Sequence, residues 1–259
     1  MTQSPRILVT NDDGIDAPGL AVLKQIAETI SDDVWVVAPG GNQSGAGHRF
    51  SFGRELTAQK RDDRSYAIDT ASPADCVVYG CTHLLVDRKP DIVLSGVNNG
   101  QNLGDIVHCS GTAAGAREGA MQGALGIALS QAVDYAHTRE VHWDVAGRFG
   151  AAIVRQLHAE FRPGSDIYYN VNFPLGRPED VSGIRLVPHQ RFAHSPFGYY
   201  ASDNPDHFFI AIPKTPLPLD READFEVLHR DRAITVTPLT LVQTDEAERQ
   251  RLSGKLALD

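Results

Sequence analysis

The chain has 259 residues, with 24 basic and 33 acidic side chains and a formal net charge of -9. Hydrophobic residues make up 42% and charged residues 22%, which is the balance of a globular domain long enough to bury a sizeable core. No apolar run approaches the roughly 20 residues of a membrane-spanning helix. The acidic balance argues against general nucleic-acid binding, which needs clustered Lys and Arg, and against docking on anionic lipid. A small anion can still bind where a local feature reverses the sign of the charge.

The N-terminus and the cysteines predict a cytoplasmic protein. The first six residues lead straight into a strand-like run and carry no signal-peptide pattern. Three cysteines without paired spacing, Cys76, Cys81 and Cys109, indicate a reducing compartment rather than a disulfide framework. We expect Cys76 and Cys81 to be small core residues, and Cys109 to pack rather than to act as a nucleophile.

Short apolar strands alternate with amphipathic helices over most of the chain. Strands are predicted at 6–10, 34–38, 91–95 and 125–130, with weaker signals at 55–57 and 66–69. Helices are predicted at 18–31, from a Ser72 N-cap to about residue 85, after Ser110, and at 142–161. A long loop is expected at 96–109. This alternation predicts an α/β fold with a mostly parallel sheet covered by helices on both faces.

The pattern weakens after about residue 181. That region is rich in proline and holds short strand-like pieces at 208–212 and 233–237. We therefore predict one domain over 1–259, made of an α/β core at 1–180 and an irregular β-rich C-terminal extension at 181–259. The extension is suited to oligomer contacts, and whether it packs on its own subunit stays open.

Polar loops follow three predicted strands, at the edge where open parallel sheets bind ligands. After the first strand, Asn11-Asp12-Asp13-Gly14 places two carboxylates at an Asp-Gly turn, where a divalent cation would remove their repulsion. An Asx turn that caps the next helix is the competing interpretation. After the second strand, Pro39–Gly47 is glycine-rich and offers Ser44 as a neutral oxygen ligand, although this loop taken alone is better explained as a flexible surface loop. It is not a phosphate-binding P-loop, because the terminal Gly-Lys-Ser/Thr is absent.

The third loop, Ser95–Asp105, offers an amide oxygen from Asn98 and leads to a helix that opens with Ser110-Gly111-Thr112. Exposed N–H groups at a helix N-terminus bind anions, although Ser110 is also a plain N-cap residue. Every fourth residue of this helix is glycine, which predicts close packing against another element. These glycines are Gly111, Gly115, Gly119 and Gly123.

The candidate ligands are all oxygens, which select Mg, Mn or Ca over zinc or copper. A cation beside an anion-binding helix end indicates phosphoryl chemistry. The ten histidines are scattered without a metal-type pair, so we expect structural or surface roles for them. The roles of His48, His108 and His194 stay open.

At these residues the sequence resembles the SurE family of metal-dependent 5′-nucleotidases. The matching segments occur in the same order over nearly the whole chain. They include 7–14 with 17–19, 36–39 with 42–46, 72–77, 90–98 and 102–119, followed by weaker matches at 170–174, 223–225 and 234–239.

The resemblance implies a Rossmann-like core, a C-terminal part that forms a homodimer or homotetramer, and hydrolysis of nucleoside monophosphates. It implies one divalent metal per subunit, Mg or Mn, held by Asp12, Asp13, Ser44 and Asn98, with Asp12 and Asp13 as catalytic residues. It also implies phosphate contacts from Ser110, Gly111 and Thr112, to which we add Asn11.

Three differences from the family pattern surround these ligands. Gly40 and Gly41 replace an acidic or polar residue and an Arg, the segment starting with Gly47-His48 replaces small polar residues, and Cys109 replaces a Tyr. The ligands themselves are unchanged. The differences affect the surroundings that would select the base or the sugar.

The hypothesis is in-line attack by a metal-activated water, and an aspartyl-phosphate intermediate is the mechanistic alternative. The preferred nucleotide, the 5′ or 3′ position of its phosphate, and activity on polyphosphate or oligonucleotides stay open. A nucleotide- or phosphate-sensing protein with little catalysis is the alternative function. An NAD-dependent oxidoreductase is disfavoured, because no Gly-x-Gly-x-x-Gly follows the first strand.

Overall fold

The computed structural model describes residues 4–135, 137–138, 140–212 and 215–256. The strands are β1 (Ile7–Thr10), β2 (Val34–Pro39), β3 (Ala58–Asp62), β4 (Ser65–Ile68), β5 (Ile92–Asn99), β6 (Leu125–Gln131), β7 (Ile167–Phe173), β8 (Ile184–Leu186), β9 (Gly198–Ala201), β10 (Phe208–Ala211) and β11 (Ile234–Thr240). The helices are α1 (Pro18–Glu28), α2 (Pro73–Tyr79), α3 (Gly111–Met121), α4 (Asp144–Ala159), α5 (Asp224–Asp231) and α6 (Glu246–Leu252). A π-helical segment, Gly80–Leu84, continues α2, and 3₁₀ helices lie at Gly104–Cys109 and Pro178–Asp180.

One mixed sheet carries the fold, in the spatial order β3-β4-β2-β1-β5-β6-β7-β11-β8. The strands from β4 to β7 in this order pair in parallel, whereas β3 is antiparallel to β4 and β11 is antiparallel to β7. The predicted α/β fold with a mostly parallel sheet is therefore confirmed. No helix within the described ranges is long and apolar enough to cross a membrane.

Both faces of the central strands are buried. In β1, Ile7 and Val9 join the cluster under α1 and α4, whereas Leu8 joins the opposite cluster under α2. A strand covered on both sides needs apolar residues at successive positions, which is why β1 shows an unbroken apolar run rather than alternation. Cys76 and Cys81 lie in the second cluster, as expected for small core residues.

The helix starts follow the predicted local signals. Ser72 and Asp75 form a reciprocal capping box at α2, with the Ser72 hydroxyl accepting from the Asp75 N–H at 3.1 Å and the Asp75 carboxylate accepting from the Ser72 N–H at 2.9 Å. At α3, the Ser110 hydroxyl accepts from the Ala113 N–H at 3.0 Å. Both interactions satisfy backbone donors that a first helical turn leaves without partners.

Two predictions of local structure were wrong. The edge strand lies at Ala58–Asp62 rather than 55–57, because the residues that pair with β4 are those that follow the predicted segment. The expected long loop at 96–109 instead continues β5 to Asn99 and then forms the 3₁₀ helix Gly104–Cys109.

Strand β7 was missed because the buried Asn170 and Asn172 interrupt its apolar pattern. Both amide groups bond to the backbone of Asn102, so their burial depends on a contact that is distant in sequence.

The chain after residue 180 contributes to two sheets. Strands β8 and β11 extend the main sheet beyond β7, and β9 pairs with β10 in a separate two-stranded hairpin. The division of the domain at residue 180 stays a prediction, and residues 213–214 and 257–259 of the predicted extension lie outside the described residues.

Candidate metal and phosphate site

The candidate site lies at the point where the order of the strands reverses. Strand β1 has β2 on one side, reached through α1, and β5 on the other, so the loops after β1 and β5 leave the sheet in different directions. The turn after β1 touches the end of β5 at this edge, where the Asn99 N–H donates to Asp13 Oδ2 at 3.1 Å. Ligands of open α/β sheets bind in such a crevice.

The turn after β1 is held by Asn11. Its buried side chain accepts from the Gly14 N–H at 3.2 Å and donates to the Gly14 carbonyl at 2.9 Å. Gly14 has a φ of +109°, a conformation that side chains rarely adopt. The Asx turn that was the alternative interpretation of this segment is therefore present. The same turn places Asp12 and Asp13 at the edge of the sheet.

Asp12 packs against the first turn of α3. Only 4% of the residue is exposed, and Oδ1 accepts a hydrogen bond from the Thr112 hydroxyl. A Cβ added at Gly111 would stand 2.8 Å from Asp12 Oδ2, so no side chain fits there. Burial raises the pKa of Asp12 to about 6, while the bond from Thr112 opposes the rise and the charge of Asp13 adds to it.

Asp13 is the more exposed of the two carboxylates. Burial raises its pKa, and the hydrogen bond from the Asn99 N–H opposes that rise. A cleft of about 540 Å³ opens beside it, lined also by Asn42, Asn99 and Trp143. A nucleotide-sized ligand in this cleft would meet Asp13 before Asp12.

The loop after β2 reaches the same place. The Gln43 N–H donates to the backbone carbonyl of Asp12 at 2.7 Å, and the adjacent Ser44 is exposed with its N–H bonded to Asn42 Oδ1 at 2.8 Å. Asp69 leaves no room for a side chain at Gly40, because its carboxylate oxygen lies 2.5 Å from the position of an added Cβ. The glycine that departs from the family pattern at residue 40 therefore leaves room for Asp69.

Asn98 lies at the end of β5 and is partly exposed. Its side-chain nitrogen donates to the Gly100 carbonyl at 2.7 Å, which leaves its oxygen as the atom that can bind a cation. The chemistry of the combined donors is two carboxylates, a hydroxyl and an amide. These oxygens suit a hard divalent cation, which would also offset the buried charge of Asp12.

The glycine stripe of α3 packs as predicted at three positions. Added Cβ atoms at Gly111, Gly115 and Gly119 would collide with Asp12, Ser95 and Val93 respectively, so the helix lies directly on β1 and β5. Gly123 differs, because it follows the end of α3 with a φ of +96° and faces open space.

A buried polar network that the sequence did not predict anchors the loop after β2 to α3. His48 Nε2 donates to the buried Glu118 carboxylate at 2.9 Å, and His48 Nδ1 accepts from Arg117 at 2.7 Å. The Gly47 N–H donates to the Cys109 carbonyl at 3.0 Å. In the sequence, the sign of this network is Glu118, a glutamate that lies beside the glycines of α3 on the face expected to be buried.

Cys109 lies close to Asp12 and is half-buried. Burial raises the pKa of its thiol and the charge of Asp12 adds to that effect, so the thiolate is disfavoured. This agrees with the expectation that Cys109 packs rather than acts as a nucleophile.

Comparison with known proteins identifies related chains over nearly the full length. The family model described as "Survival protein SurE" matches residues 7–195. A protein named 5′-nucleotidase SurE from Methylorubrum populi is 42% identical over 254 residues, covering 96% of this chain and 98% of that one. A protein of the same name from Methylobacterium sp. strain 4-46 is 43% identical, covering 97% of this chain and 99% of that one.

The fold is shared with a solved structure. The crystal structure of SurE protein from Aquifex aeolicus matches with a TM-score of 0.82 and 32% identity, covering 96% of this chain and 98% of that chain. The sequence resemblance, the mostly parallel sheet and these matches agree over the same residues. The chain belongs to the SurE family.

Proposed function

We propose that this chain is a hydrolase that releases phosphate from nucleoside monophosphates and requires a divalent cation. The proposal draws on full-length relatives that are named 5′-nucleotidase SurE. The observation that carries it is the position of Asp12, a buried carboxylate between Asp13 and the first turn of α3. Two carboxylates beside a helix N-terminus can bind a cation and an anion together.

Asp12, Asp13, Ser44 and Asn98 would hold the cation, and their oxygens favour Mg or Mn. When bound, the cation would supply Lewis-acid polarisation of a phosphoryl oxygen and neutralise the two carboxylates. The raised pKa values of Asp12 and Asp13 support this assignment, because burial disfavours the two charged carboxylates in the absence of a counter-charge.

The start of α3 would bind the phosphate. The Ser110 hydroxyl accepts from the Ala113 N–H and so keeps its own proton for a phosphate oxygen. The Thr112 hydroxyl is bonded to Asp12, so Thr112 positions that carboxylate, and Gly111 provides the space that Asp12 occupies. Asn11 would contribute indirectly, by holding the turn that carries Asp12 and Asp13, because both of its side-chain polar atoms are hydrogen-bonded to Gly14.

Asp13 is the better placed carboxylate to accept a proton from an attacking water. It borders the cleft, whereas Asp12 is buried and bonded to Thr112. Attack by an aspartate on phosphorus is the alternative route. Acid quenching during turnover of a nucleotide labelled in its phosphate separates the two, because only the second route leaves label on the protein.

We further propose a homodimer or homotetramer in the cytoplasm. The β9–β10 hairpin exposes Tyr199, Tyr200, Phe208, Phe209 and Ile210. Such a cluster of exposed apolar residues marks a contact surface. The three cysteines are unpaired, as expected in a reducing compartment. Sedimentation of the full chain tests the assembly, and a monomer at micromolar concentration would contradict it.

A phosphate-release assay on a panel of nucleoside 5′- and 3′-monophosphates, with Mg or Mn and then with EDTA, tests the proposed activity. We expect release that EDTA abolishes and that Asp12→Asn reduces by at least about a thousandfold. Tight nucleotide binding without release would instead establish a sensing protein. Near-normal release by Asp12→Asn would contradict the assignment of the site.

A further inference from the structure

A second group of metal-ligating side chains lies just before α3 and is separate from the oxygen donors of the candidate site. In a 3₁₀ helix, residues three apart lie on the same face, and Asp105 and His108 have this spacing in the helix Gly104–Cys109. His189, which follows β8, joins them. One ligand atom from each of the three side chains lies within 4.8 Å of the others.

His189 has a ring nitrogen without a hydrogen-bond partner among the described residues. Its Nε2 atom is buried and makes no hydrogen bond within the described part of the chain. The nearest acceptor in this group, Asp105 Oδ1, is 3.7 Å away, too far for a hydrogen bond. A buried polar atom in this state is unfavourable, and a cation placed between it and Asp105 Oδ1 would satisfy the histidine nitrogen.

The surroundings of this group fix its ligands. Asp105 is 13% exposed, and its Oδ2 accepts from the Phe192 N–H at 3.0 Å, which holds the carboxylate in place. The buried Asp224 accepts from the N–H groups of Gly104 and Gln190, both at 2.9 Å. This bridge joins the two backbone segments that carry the ligands, so the group is assembled before any cation binds.

Arg191 is the competing partner. Its guanidinium donates to Asp105 Oδ1, yet 71% of the Arg191 side chain is exposed. The guanidinium can therefore move into solvent when a cation takes its place. The His108 ring is exposed, so one side of this group of ligands faces water.

We propose that Asp105, His108 and His189 form a second metal site, specific for a borderline transition cation of the Zn²⁺ class. Two imidazole nitrogens and one carboxylate, with water at the open position, form a common zinc ligand set. The oxygen donors around Asp12 favour Mg²⁺ instead. The cation would tie the segment after β8 to the 3₁₀ helix that leads into Ser110.

The test uses the full chain, stripped of metal and then saturated with Mg²⁺. Co²⁺ titration followed by visible absorption should reveal one additional site per chain, and Zn²⁺ should displace the Co²⁺. X-ray absorption of the bound Co²⁺ should show imidazole ligands, which the Asp12 site lacks. His108→Gln and His189→Gln should each weaken binding at least about a hundredfold, the upper end of what a lost supporting contact alone costs. His207→Gln changes an exposed histidine of the β9–β10 turn and should leave binding unchanged.

Two further variants sharpen the result. Arg191→Gln should tighten Co²⁺ binding severalfold, because it removes the competing cation. Asp12→Asn should keep the Co²⁺ site while losing phosphate release, so failure of the proposed function and failure of this site are distinguishable. Absence of Co²⁺ binding beyond the Mg²⁺ site, or unchanged binding in the folded His108→Gln variant, would overturn the proposal. Because His108 is exposed, we expect its replacement by Gln to leave folding unaffected.

Discussion

The Thr112 hydroxyl donates a hydrogen bond to Oδ1 of Asp12, and this contact joins the start of α3 to the turn after β1. Thr112 is fully buried, and the single donor of its side chain, the hydroxyl, is hydrogen-bonded to the carboxylate. The bond selects the orientation of Asp12 and favours its charged form. Asp12 is therefore set in place by the element that we propose to bind the phosphate.

Replacing Thr112 tests that positioning. Thr112→Val keeps the shape but removes the donor, and should lower Mg²⁺ affinity and phosphate release by about 10–100-fold. Thr112→Ser keeps the hydroxyl and should stay within a few-fold of the unsubstituted protein. Magnesium titration of phosphate release measures both values. Equal losses in the two variants would show that the methyl group, not the hydrogen bond, is what matters.

Gly111 should tolerate no side chain. Gly111→Ala places a methyl group 2.8 Å from Asp12 Oδ2 and should displace the carboxylate, with a loss of metal affinity. The matched control is Gly147→Ala on α4, where an added Cβ meets open space. The control should keep its metal affinity and gain up to about 1 kcal/mol in the free energy of unfolding. Isothermal titration with Mg²⁺ and urea unfolding give the two quantities, and wild-type Mg²⁺ affinity in Gly111→Ala would contradict the packing argument.

The stability of the metal-free protein should depend on pH through Asp12. The folded state holds the Asp12 proton more tightly, with a pKa of about 6 against an ordinary value of 3.8. Its contribution to stability is thus fully present below pH 3.8 and is lost as the pH rises through about 6, an effect of up to roughly 3 kcal/mol.

Urea unfolding in EDTA across this pH window measures the effect. Asp12→Asn should remove most of that dependence, because the amide does not titrate. Added Mg²⁺ should stabilise the unsubstituted protein more at pH 7 than at pH 5, since protons compete for the same carboxylate. A metal-induced gain in Tm that is larger at pH 5 would oppose this assignment.

His48 should matter for the stability of the fold. His48→Ala leaves the buried Glu118 carboxylate and the Arg117 guanidinium without this partner, which should cost about 1–3 kcal/mol in the free energy of unfolding. The exposed His142 provides a control, because His142→Ala should change stability by less than about 0.5 kcal/mol. Urea unfolding compares the two, and equal effects would show that the network contributes little.

Local signals predicted the elements that carry the site. The apolar runs of β1, β2, β5 and β6 and the serine caps of α2 and α3 are readable from neighbouring residues, and the structure confirms them. The turn at Asp12 and the close approach of α3 were predictable for the same reason.

Contacts between distant residues were not predictable. The bond from Thr112 to Asp12 spans 100 residues, and the contact between His48 and Glu118 spans 70. No local pattern marks either pair. His189 was likewise an unremarkable histidine until the structure placed it beside Asp105 and His108.

The separation in sequence of these contacts makes the site a reporter of complete folding. Asp13 meets Asn99 across 86 residues, and Asp12 meets Thr112 across 100, so a nascent chain that ends before Asn99 can form neither contact. Closing such long loops is slow compared with forming a helix. During refolding, recovery of Mg²⁺ binding should therefore lag behind recovery of helical circular dichroism.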